Sequence, residues 1–452
     1  MRANMTQDLL KLQDAWFKDE KQNLEEESGR RYAHFDPLIT RLHKKIVQDE
    51  VWNPDNIVRH SFYPFIKRIE VTKRYKRRNG KKFLEEKKRP ICYATHFDAL
   101  IYSWYCALLS SRYEEFLKLK NIQDNVLAYR QLGKDNIDFA KEVFDFIASQ
   151  KYCVAMAFDI EKFFDTLDHS ILKSKWLDVF PSSENKSKIP KDHFAIYKAV
   201  TDYSFVERNK INGALESILR KVRIYGRMCT TLEFRTVIIP LIKKNRKIGI
   251  PQGASVSDVL SNIYMLDFDS GIAKAIAALG GIYKRYCDDI IVVVPIADYQ
   301  KVQDTIFNKI KELNLIINPS KTELKEFNRL NGKLECCDIL TGQKSKLQYL
   351  GAEFDGENFY LRHKGITKFD SRMARMIRSV VHYSRENEGL LPKKRLYRKF
   401  SHLGASNYLT YAKRAGRKLS SKTIKRQTSP ERIMRKIKSR IEKTKSKMAK
   451  NN

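Results

Sequence analysis

The chain has 452 residues, of which 42% are hydrophobic and 31% charged, so it is long enough for two or three globular domains with a polar surface. Lys and Arg number 87 against 53 Asp and Glu, and the formal net charge of +34 predicts a polyanionic partner, with nucleic acid favoured over a membrane surface. No apolar run reaches the roughly 20 residues that span a bilayer, and the N-terminus lacks a signal-peptide core. The seven cysteines include no C-x-x-C pair, so we expect a reducing, cytoplasmic setting and no structural metal.

The first predicted elements are a helical N-terminal region, residues 1–60, and a basic hairpin at residues 72–89. The dipeptide Asn79-Gly80 lies inside the basic segment and favours a tight turn between two strands. Such a hairpin can be merely a solvated face. Because aromatic residues lie among its cations, we favour a flap that contacts phosphates.

A short strand and a helix are predicted after the hairpin. Residues 89–94 (RPICYA) predict the strand, and Thr95 can cap the helix that follows. That helix carries apolar residues at a spacing of three to four, which is typical of a core-facing helix. We expect His96, at its start, to be a capping or structural residue.

The first candidate catalytic residue is an acid at the end of an apolar run. Residues 153–158 predict a buried strand, and Asp159 stands at its end, where sheets often place their chemistry. The alternative is that Asp159 caps a helix. We favour a metal-binding role because the chain has a second acidic turn further on. Asp165 and Asp168, which follow, are expected to be structural.

Residues 249–253 (GIPQG) are a candidate ligand loop. They follow a mixed segment, residues 181–248, that contains a polar linker and helices. Gly253 permits a close approach of the backbone to a ligand, and Ser255 or Ser257 can begin the next helix. By itself the loop fits a turn before a core helix equally well.

Residues 282–295 (IYKRYCDDIIVVVP) are the most informative stretch. The β-branched run at 290–294 predicts a strand, and a tight turn bearing Asp288 and Asp289 joins it to the strand before. Two carboxylates held together repel each other unless a cation lies between them, and Mg²⁺ suits an all-oxygen site shared with phosphates. The stretch therefore indicates phosphoryl transfer on a nucleotide. The alternative is an exposed hairpin tip, where Asp is common.

The last third of the chain predicts a helix over residues 299–313, a strand over 314–318 and a strand pair beginning at 346–354. From about residue 367 the pattern is helical and basic.

The basic C-terminal segment contains an apolar stripe, because Ile433, Ile437 and Ile441 repeat every four residues. We expect this segment to bind RNA or DNA. Removal of residues 413–452 should then change the salt dependence of binding and leave the melting temperature little altered. The alternative is that the stripe docks on the preceding helices, in which case removal lowers the melting temperature.

Several motifs occur in the order found in reverse transcriptases, and together they resemble the palm of that family. Tyr286-Cys287-Asp288-Asp289 resembles its signature, residues 159–164 (DIEKFF) its first palm motif, and residues 249–257 (GIPQGASVS) its loop and helix. Residues 89–91 resemble the fingers strand. Lys321 in NPSKTEL and Tyr349 in QYLGAEF resemble the later motifs. The resemblance covers roughly residues 89–355.

The resemblance implies an α+β right-hand polymerase with fingers, palm and thumb, an antiparallel palm sheet and a helical, basic C-terminal region. The implied segments are an N-terminal helical extension (1–71), fingers (72–150), palm (151–356, with a fingers-like insertion at about 181–248), thumb (357–412) and a basic C-terminal helix or tail (413–452).

The resemblance also implies residue roles. Two Mg²⁺ ions, for which Mn²⁺ can substitute, would be held by the catalytic residues Asp159, Asp288 and Asp289 and by the Ile160 carbonyl. Phe164, five residues after Asp159, would exclude a 2′-hydroxyl and so select dNTPs. The remaining implied contacts are Arg89, Gln252, Gly253 and Lys321 to the nucleotide, and Lys87, Lys88, Tyr286, Tyr349 and Gly351 to nucleic acid.

Finer features, residues 89–105 (RPICYATHFDALIYSWY) and 199–204 (AVTDYS), resemble the bacterial defence-associated, abortive-infection-like branch. The implied function is an RNA-directed DNA polymerase that copies an RNA template, expected to be an associated noncoding RNA, into cDNA in antiphage defence. The alternatives are a retron-type enzyme and a template-independent or protein-primed DNA polymerase of the same fold. A nucleic-acid-binding protein without catalysis is opposed by the three intact acids. An RNA-directed RNA polymerase is opposed by Phe164.

Overall fold

The computed structural model describes residues 2–25, 32–78, 81–180, 187–245, 247–387 and 391–450. It combines helices with largely antiparallel sheets, which confirms the predicted α+β class. The helices are α1 (Arg2–Glu25), α2 (Lys44–Ile46), α3 (Pro54–Arg59), α4 (His96–Leu119), α5 (Asn136–Ser149), α6 (Phe163–Thr166), α7 (His169–Val179), α8 (Lys191–Thr201), α9 (Arg208–Ala214), α10 (Ile218–Tyr225), α11 (Thr231–Glu233), α12 (Ser255–Tyr264), α13 (Leu266–Ala278), α14 (Tyr299–Glu312), α15 (His363–Glu386), α16 (Lys393–Phe400), α17 (Tyr408–Lys418), α18 (Lys422–Gln427) and α19 (Pro430–Lys450). Within the described ranges, no helix has the length and apolar content needed to cross a membrane.

The strands form three sheets. They are β1 (Phe65–Arg78), β2 (Lys81–Tyr93), β3 (Tyr152–Asp159), β4 (Ser204–Glu207), β5 (Lys243–Lys244), β6 (Ile282–Tyr286), β7 (Asp289–Val294), β8 (Glu323–Leu330), β9 (Lys333–Asp338), β10 (Leu347–Tyr349), β11 (Ala352–Phe354) and β12 (Phe359–Leu361).

The chain divides into two compact units, each built from three separate segments. The first unit comprises Met1–Arg130, Ile160–Gly271 and Phe307–Ile317, and the second comprises Gln131–Asp159, Ile272–Ile306 and Asn318–Asn452. The predicted segments are instead consecutive along the chain, and their boundary at residues 71 and 72 falls inside β1.

A long antiparallel ribbon of β1 and β2 dominates the first unit, whose sheet has the order β2-β1-β4-β5. The ribbon pairs as far as Arg78 and Lys81; the predicted Asn79-Gly80 turn between them lies outside the described residues. The strand predicted at residues 89–94 is the last part of this longer β2. Ile66 and Val206 pack from the sheet into a core that also contains Phe35.

The second unit contains a five-stranded antiparallel sheet of order β6-β7-β3-β8-β9. Its two apolar strands, β3 and β7, lie at interior positions, where burial on both sides suits a continuous apolar run. Side chains from this sheet share a core with α5, β10–β12, α17 and α18, among them Phe144, Phe327 and Phe354. The strand predicted at residues 314–318 does not form. Only an isolated bridge joins Ile317 to Ile160.

The isoleucine stripe of α19 is buried, with Ile433, Ile437 and Ile441 5%, 0% and 7% exposed. It shares a core cluster with residues of α15, including Met373 and Ile377. This burial contradicts the expectation that residues 413–452 could be removed with little effect on the melting temperature, because the cut would expose the apolar face of α15. The docking alternative is the one that the structure supports.

We therefore expect Ile437→Ala to lower the free energy of unfolding by about 2–5 kcal/mol, because it leaves a cavity between α15 and α19. Urea denaturation followed by circular dichroism measures the change. The matched control is Lys438→Ala, because Lys438 is the exposed neighbour on the same helix and should change stability by less than about 0.5 kcal/mol. Equal, small effects of both substitutions would show that the stripe does not hold α19 in place.

Candidate active site

The diacid hairpin forms as the sequence predicts. A two-residue turn, Cys287-Asp288, joins β6 to β7, and Cys287 adopts a left-handed backbone with φ of 59°. The buried side chain of Arg285 supports the turn: its Nη1 donates a hydrogen bond of 3.0 Å to the Cys287 carbonyl. The β-branched run of β7 is buried, so the turn is fixed to a rigid base.

The sheet brings Asp159 to the diacid turn. β3 and β7 pair antiparallel, and their register sets Asp159 directly opposite Asp289. Cβ atoms of residues opposite each other in such a pair lie about 4.5–5.5 Å apart. Asp288 is the adjacent turn residue, so three carboxylates from two separate chain segments meet at one end of the sheet. The structure thus brings the two predicted acidic motifs together, while their metal-binding role stays a prediction.

The local electrostatics show that the negative charges of the three acids lie close together. Loss of hydration, followed by the charges of Asp288 and Asp159, raises the pKa of Asp289 to about 6. The side chain of Asp289 is exposed to solvent, so its carboxylate loses only part of its hydration. The pKa of Asp288 is raised by burial and by Asp159. Such a cluster is stabilised by any cation that enters it.

One cation of the protein is already there. Lys321, in the turn Pro319–Lys321, forms an ion pair from Nζ to Oδ2 of Asp159, and it opposes the rise of both other pKa values. Over the part of the chain that the structure describes, no group of three or more His, Cys, Asp or Glu side chains is arranged as a ready metal site. Carboxylate oxygens are hard donors of the type that Mg²⁺ prefers. In this structure the cation paired with Asp159 is the ammonium of Lys321.

The backbone beside Asp159 includes one predicted ligand, the carbonyl of Ile160, a residue that is 1% exposed. Ile160 forms an isolated bridge with Ile317, in which the hydrogen bonds are made by the neighbouring groups: Asn318 N–H donates to the Asp159 carbonyl and Glu161 N–H to the Ile316 carbonyl, each at 2.8 Å. The Ile160 carbonyl is not used by this bridge. Its predicted role as an oxygen ligand stays a prediction.

In the first unit, the predicted nucleotide loop is locked onto the end of β2. Gln252 accepts a hydrogen bond of 2.8 Å from Cys92 N–H. Gly253 has a φ of 114°, and a Cβ there would lie 2.5 Å from the Cys92 carbonyl oxygen. Gly253 makes this close approach to β2, and the predicted approach of a ligand stays a prediction.

Phe164, the predicted sugar-selecting residue, is 8% exposed and packs edge-on against Phe163 at 5.8 Å between ring centroids. This neighbour restrains the ring. Arg89 and Lys88 are exposed, and Lys87 is half-buried, so the ribbon presents predicted phosphate contacts to solvent.

Lys67 is a residue that sequence reasoning missed. Its ammonium lies 4.4 Å from the ring centroid of Phe205 and lowers the pKa of Asp165, which burial raises. It is opposite Cys92 in the ribbon register, beside the locked Gln252 loop. The signal was the extended pattern before residue 72, which the predicted domain boundary assigned to the N-terminal extension.

The three predicted nucleic-acid contacts of the second unit differ in their surroundings. Tyr349 is 3% exposed and belongs to the core under the sheet, so the structure assigns its side chain to packing, and its hydroxyl has no hydrogen-bond partner in the described chain. Gly351, with φ of 90°, follows it in the tight turn to β11. Tyr286 is partly exposed and makes a tilted contact with Phe139 at 6.4 Å.

The structural interpretation of Asp168 agrees with its position. It is the N-cap of α7, and its Oδ1 accepts hydrogen bonds from the backbone of Ser170 at 2.8 Å and of Ile171 at 3.1 Å. His96, likewise, is buried and hydrogen-bonded to Asp36 at 2.9 Å.

Comparison with known proteins finds a family match in the later part of the chain. Residues 218–354 match the reverse transcriptase (RNA-dependent DNA polymerase) family. The matched segment contains Asp288, Asp289, Gln252, Gly253 and Lys321, whereas Asp159 precedes it. The chain thus contains a reverse-transcriptase-like segment, in agreement with the resemblance of its motifs. No curated protein matches the chain.

Solved structures of telomerase are distantly similar. The apo enzyme of Candida tropicalis, truncated from its C-terminal domain, is 12% identical with a TM-score of 0.41, over 65% of this chain and 55% of that one. Candida albicans telomerase in complex with the TWJ fragment of telomeric RNA is 12% identical with a TM-score of 0.43, over 86% of this chain and 58% of that one. The chain therefore spans less than two thirds of the length of these telomerases.

The raised pKa of Asp289 predicts a dependence of stability on pH. Between about pH 4 and pH 6 the folded protein holds a proton that the unfolded chain has released, so wild-type stability falls as the pH rises through this window. Asp289→Asn has no such proton. Its free energy of unfolding in EDTA should rise relative to wild type between pH 4.5 and pH 7.5, by less than about 1 kcal/mol because the side chain is exposed.

Asp168→Ala is the control for this measurement, because hydrogen bonding from Ser170 lowers the pKa of Asp168 and its stabilisation is lost as the pH falls. The control should therefore be most destabilising at pH 7.5. Parallel pH profiles for wild type and Asp289→Asn would contradict the raised pKa.

Proposed function

We propose that this protein is an RNA-directed DNA polymerase. The observation that carries the proposal is the β3–β7 register, which sets Asp159 opposite Asp289 beside Asp288. Two of these acids lie inside the segment that matches the reverse transcriptase family. The net charge of +34 supports a nucleic-acid template and product.

Asp159, Asp288 and Asp289, with the Ile160 carbonyl, would hold two Mg²⁺ ions, or Mn²⁺ in their place. When bound, such ions lower the pKa of an attacking 3′-hydroxyl and neutralise charge on the triphosphate and on the leaving pyrophosphate. The protein contributes a fixed set of oxygen donors, because β-sheet register and the buried Arg285 position them before any ligand arrives.

Lys321 is the basic partner of this site. Its side chain is 41% exposed and its ammonium pairs with Asp159, so it can turn toward a phosphate when a stronger cation occupies the carboxylates. At that position Nζ carries a proton that it can give to the departing pyrophosphate. Arg89 would contact the triphosphate with its planar fork.

Phe164 would select the sugar. Its ring is largely buried and restrained by Phe163, so it cannot easily yield to an added hydroxyl. This supports dNTPs as the substrates.

The setting of the reaction is a further part of the proposal. The motifs at residues 89–105 and 199–204 resemble the defence-associated branch. On that resemblance we propose that the template is an associated noncoding RNA and that the protein acts in antiphage defence in the cytoplasm. Sequencing the nucleic acid that copurifies with the protein tests this part: a single noncoding RNA with its cDNA supports it, and untemplated DNA favours the template-independent alternative.

The double variant Asp288→Asn/Asp289→Asn should abolish dNTP incorporation, because amides cannot supply the negative charge that binds Mg²⁺. Primer extension on an RNA template with labelled dNTPs is the measurement, and we expect a loss of at least a thousandfold. Asp304→Asn is the matched control, since Asp304 is an exposed acid on α14 outside the site. Incorporation by the double variant within tenfold of wild type would rule out the assigned carboxylates.

Phe164→Ala should admit rNTPs while dNTPs remain substrates, because the ring that blocks the 2′-hydroxyl is gone. The ratio of kcat/KM for dNTP and rNTP should fall by about 100-fold relative to wild type. Phe164→Tyr keeps the ring and should keep the selection. If wild type itself uses both nucleotides equally, Phe164 does not select the sugar and an RNA-directed RNA polymerase becomes the better interpretation.

A further inference from the structure

A cavity of about 730 Å³ lies at the edge of the first unit's sheet, lined by Asp202, Phe205, Ile242, Lys243, Lys244 and Asn245. β4 and β5 form its floor, with Phe205 directly opposite Lys243 in register. None of these residues takes part in the polymerase chemistry described above. The volume is in the range of cavities that take small ligands.

One wall of the cavity is a rigid aromatic surface. Phe205 stands on the face of the sheet opposite Val206, which is buried in the core, so the ring is held by the strand and remains partly exposed. The Lys67 ammonium lies 4.4 Å from the ring centroid. An aromatic ring beside cations is the arrangement that stacks bases and holds phosphates of single strands.

The two lysines at the rim of the cavity differ in whether they form an ion pair. Lys243 donates a hydrogen bond of 2.7 Å to Glu207, whereas Lys244 is exposed and forms no ion pair with the described residues. Lys244 can therefore bind a phosphate without breaking an existing pair. Asn245 is fixed by its side-chain amide, which donates to the carbonyls of Ile248 and Gly249 at 3.0 and 3.2 Å, and it forms a stable wall.

The remaining polar group, Asp202, distinguishes a nucleotide from a simple anion. Its exposed carboxylate would repel a phosphate, but it can accept a hydrogen bond from the amino group of a base. A ligand with an apolar ring, an amino edge and a phosphate on another side satisfies Phe205, Asp202 and Lys244 together. A cytidine nucleotide has all three features.

We propose that this cavity binds an unpaired nucleotide of the template strand, with its base on Phe205 and its phosphate on Lys244. Naming the strand as the template rests on the proposed polymerase function. The position supports it, because Lys67 joins the Phe205 ring to Asp165, the residue after the sugar-selecting Phe164.

The test compares binding of two RNA–DNA duplexes to the full chain by fluorescence anisotropy. One duplex is blunt, and the other carries a 5′ template overhang of four cytidines. The overhang should tighten wild-type binding by about tenfold, as one stacked base contributes. In Phe205→Ala the overhang should add less than twofold, while affinity for the blunt duplex stays unchanged.

Two further variants separate stacking from folding and from charge. Phe205→Leu keeps apolar bulk beneath Lys67 but has no aromatic face, so it should behave like Phe205→Ala, whereas Phe205→Tyr should restore the overhang effect. Lys244→Ala should reduce the slope of log K against log salt by about 0.7 for the overhang duplex only. An overhang of four abasic residues should bind wild type no better than the blunt duplex.

If Phe205→Ala weakened binding of both duplexes equally, the proposal would be overturned, because Phe205 would then act on the fold. An overhang effect that persists in Phe205→Ala would also overturn it. Displacement of the overhang by millimolar CTP alone would assign the cavity to free nucleotides and also overturn it. The Asp288→Asn/Asp289→Asn variant should retain the overhang effect. If the effect holds and wild type incorporates no dNTP, the polymerase function fails and the single-strand site stands.

Discussion

The pairing of β3 with β7 is the constraint on which the candidate active site depends. The two strands are hydrogen-bonded over six positions, from Val154 opposite Val294 to Asp159 opposite Asp289. The apolar residues between these ends are buried, apart from the half-buried Ala157, and their burial holds the two strands in the core. The carboxylates occupy the last position of that ladder, so the energy that holds them together comes from the core and opposes their mutual repulsion.

Features set by local sequence were predictable. The strand before Asp159 and the hairpin around Asp288 follow from runs of apolar and β-branched residues, and both form. Their meeting could be inferred only through resemblance, because no local pattern specifies which strands pair. The α+β class followed in the same way.

Other features depend on tertiary surroundings that one sequence does not display. Residues 314–318 have a strand-like composition but find only a single bridge, at Ile317. The motif of Tyr349 predicts a contact with nucleic acid, but Tyr349 lies at the end of β10 and its side chain is buried in the core of the second unit. Lys67 was missed because its importance arises from Phe205 and Asp165, which are distant in sequence and reach it through the ribbon and β4.

The locked contact between Gly253 and β2 has a mechanical consequence. A Cβ at position 253 would collide with the Cys92 carbonyl, and the Cys92–Gln252 hydrogen bond ties the same two segments. These two contacts tie the base of β2 to the loop before α12, so movement of the ribbon at this point requires both contacts to break. Displacement of the rest of the ribbon then requires bending along β1 and the thirteen-residue β2. The hydrogen-bonded pairing of the two strands resists that bending.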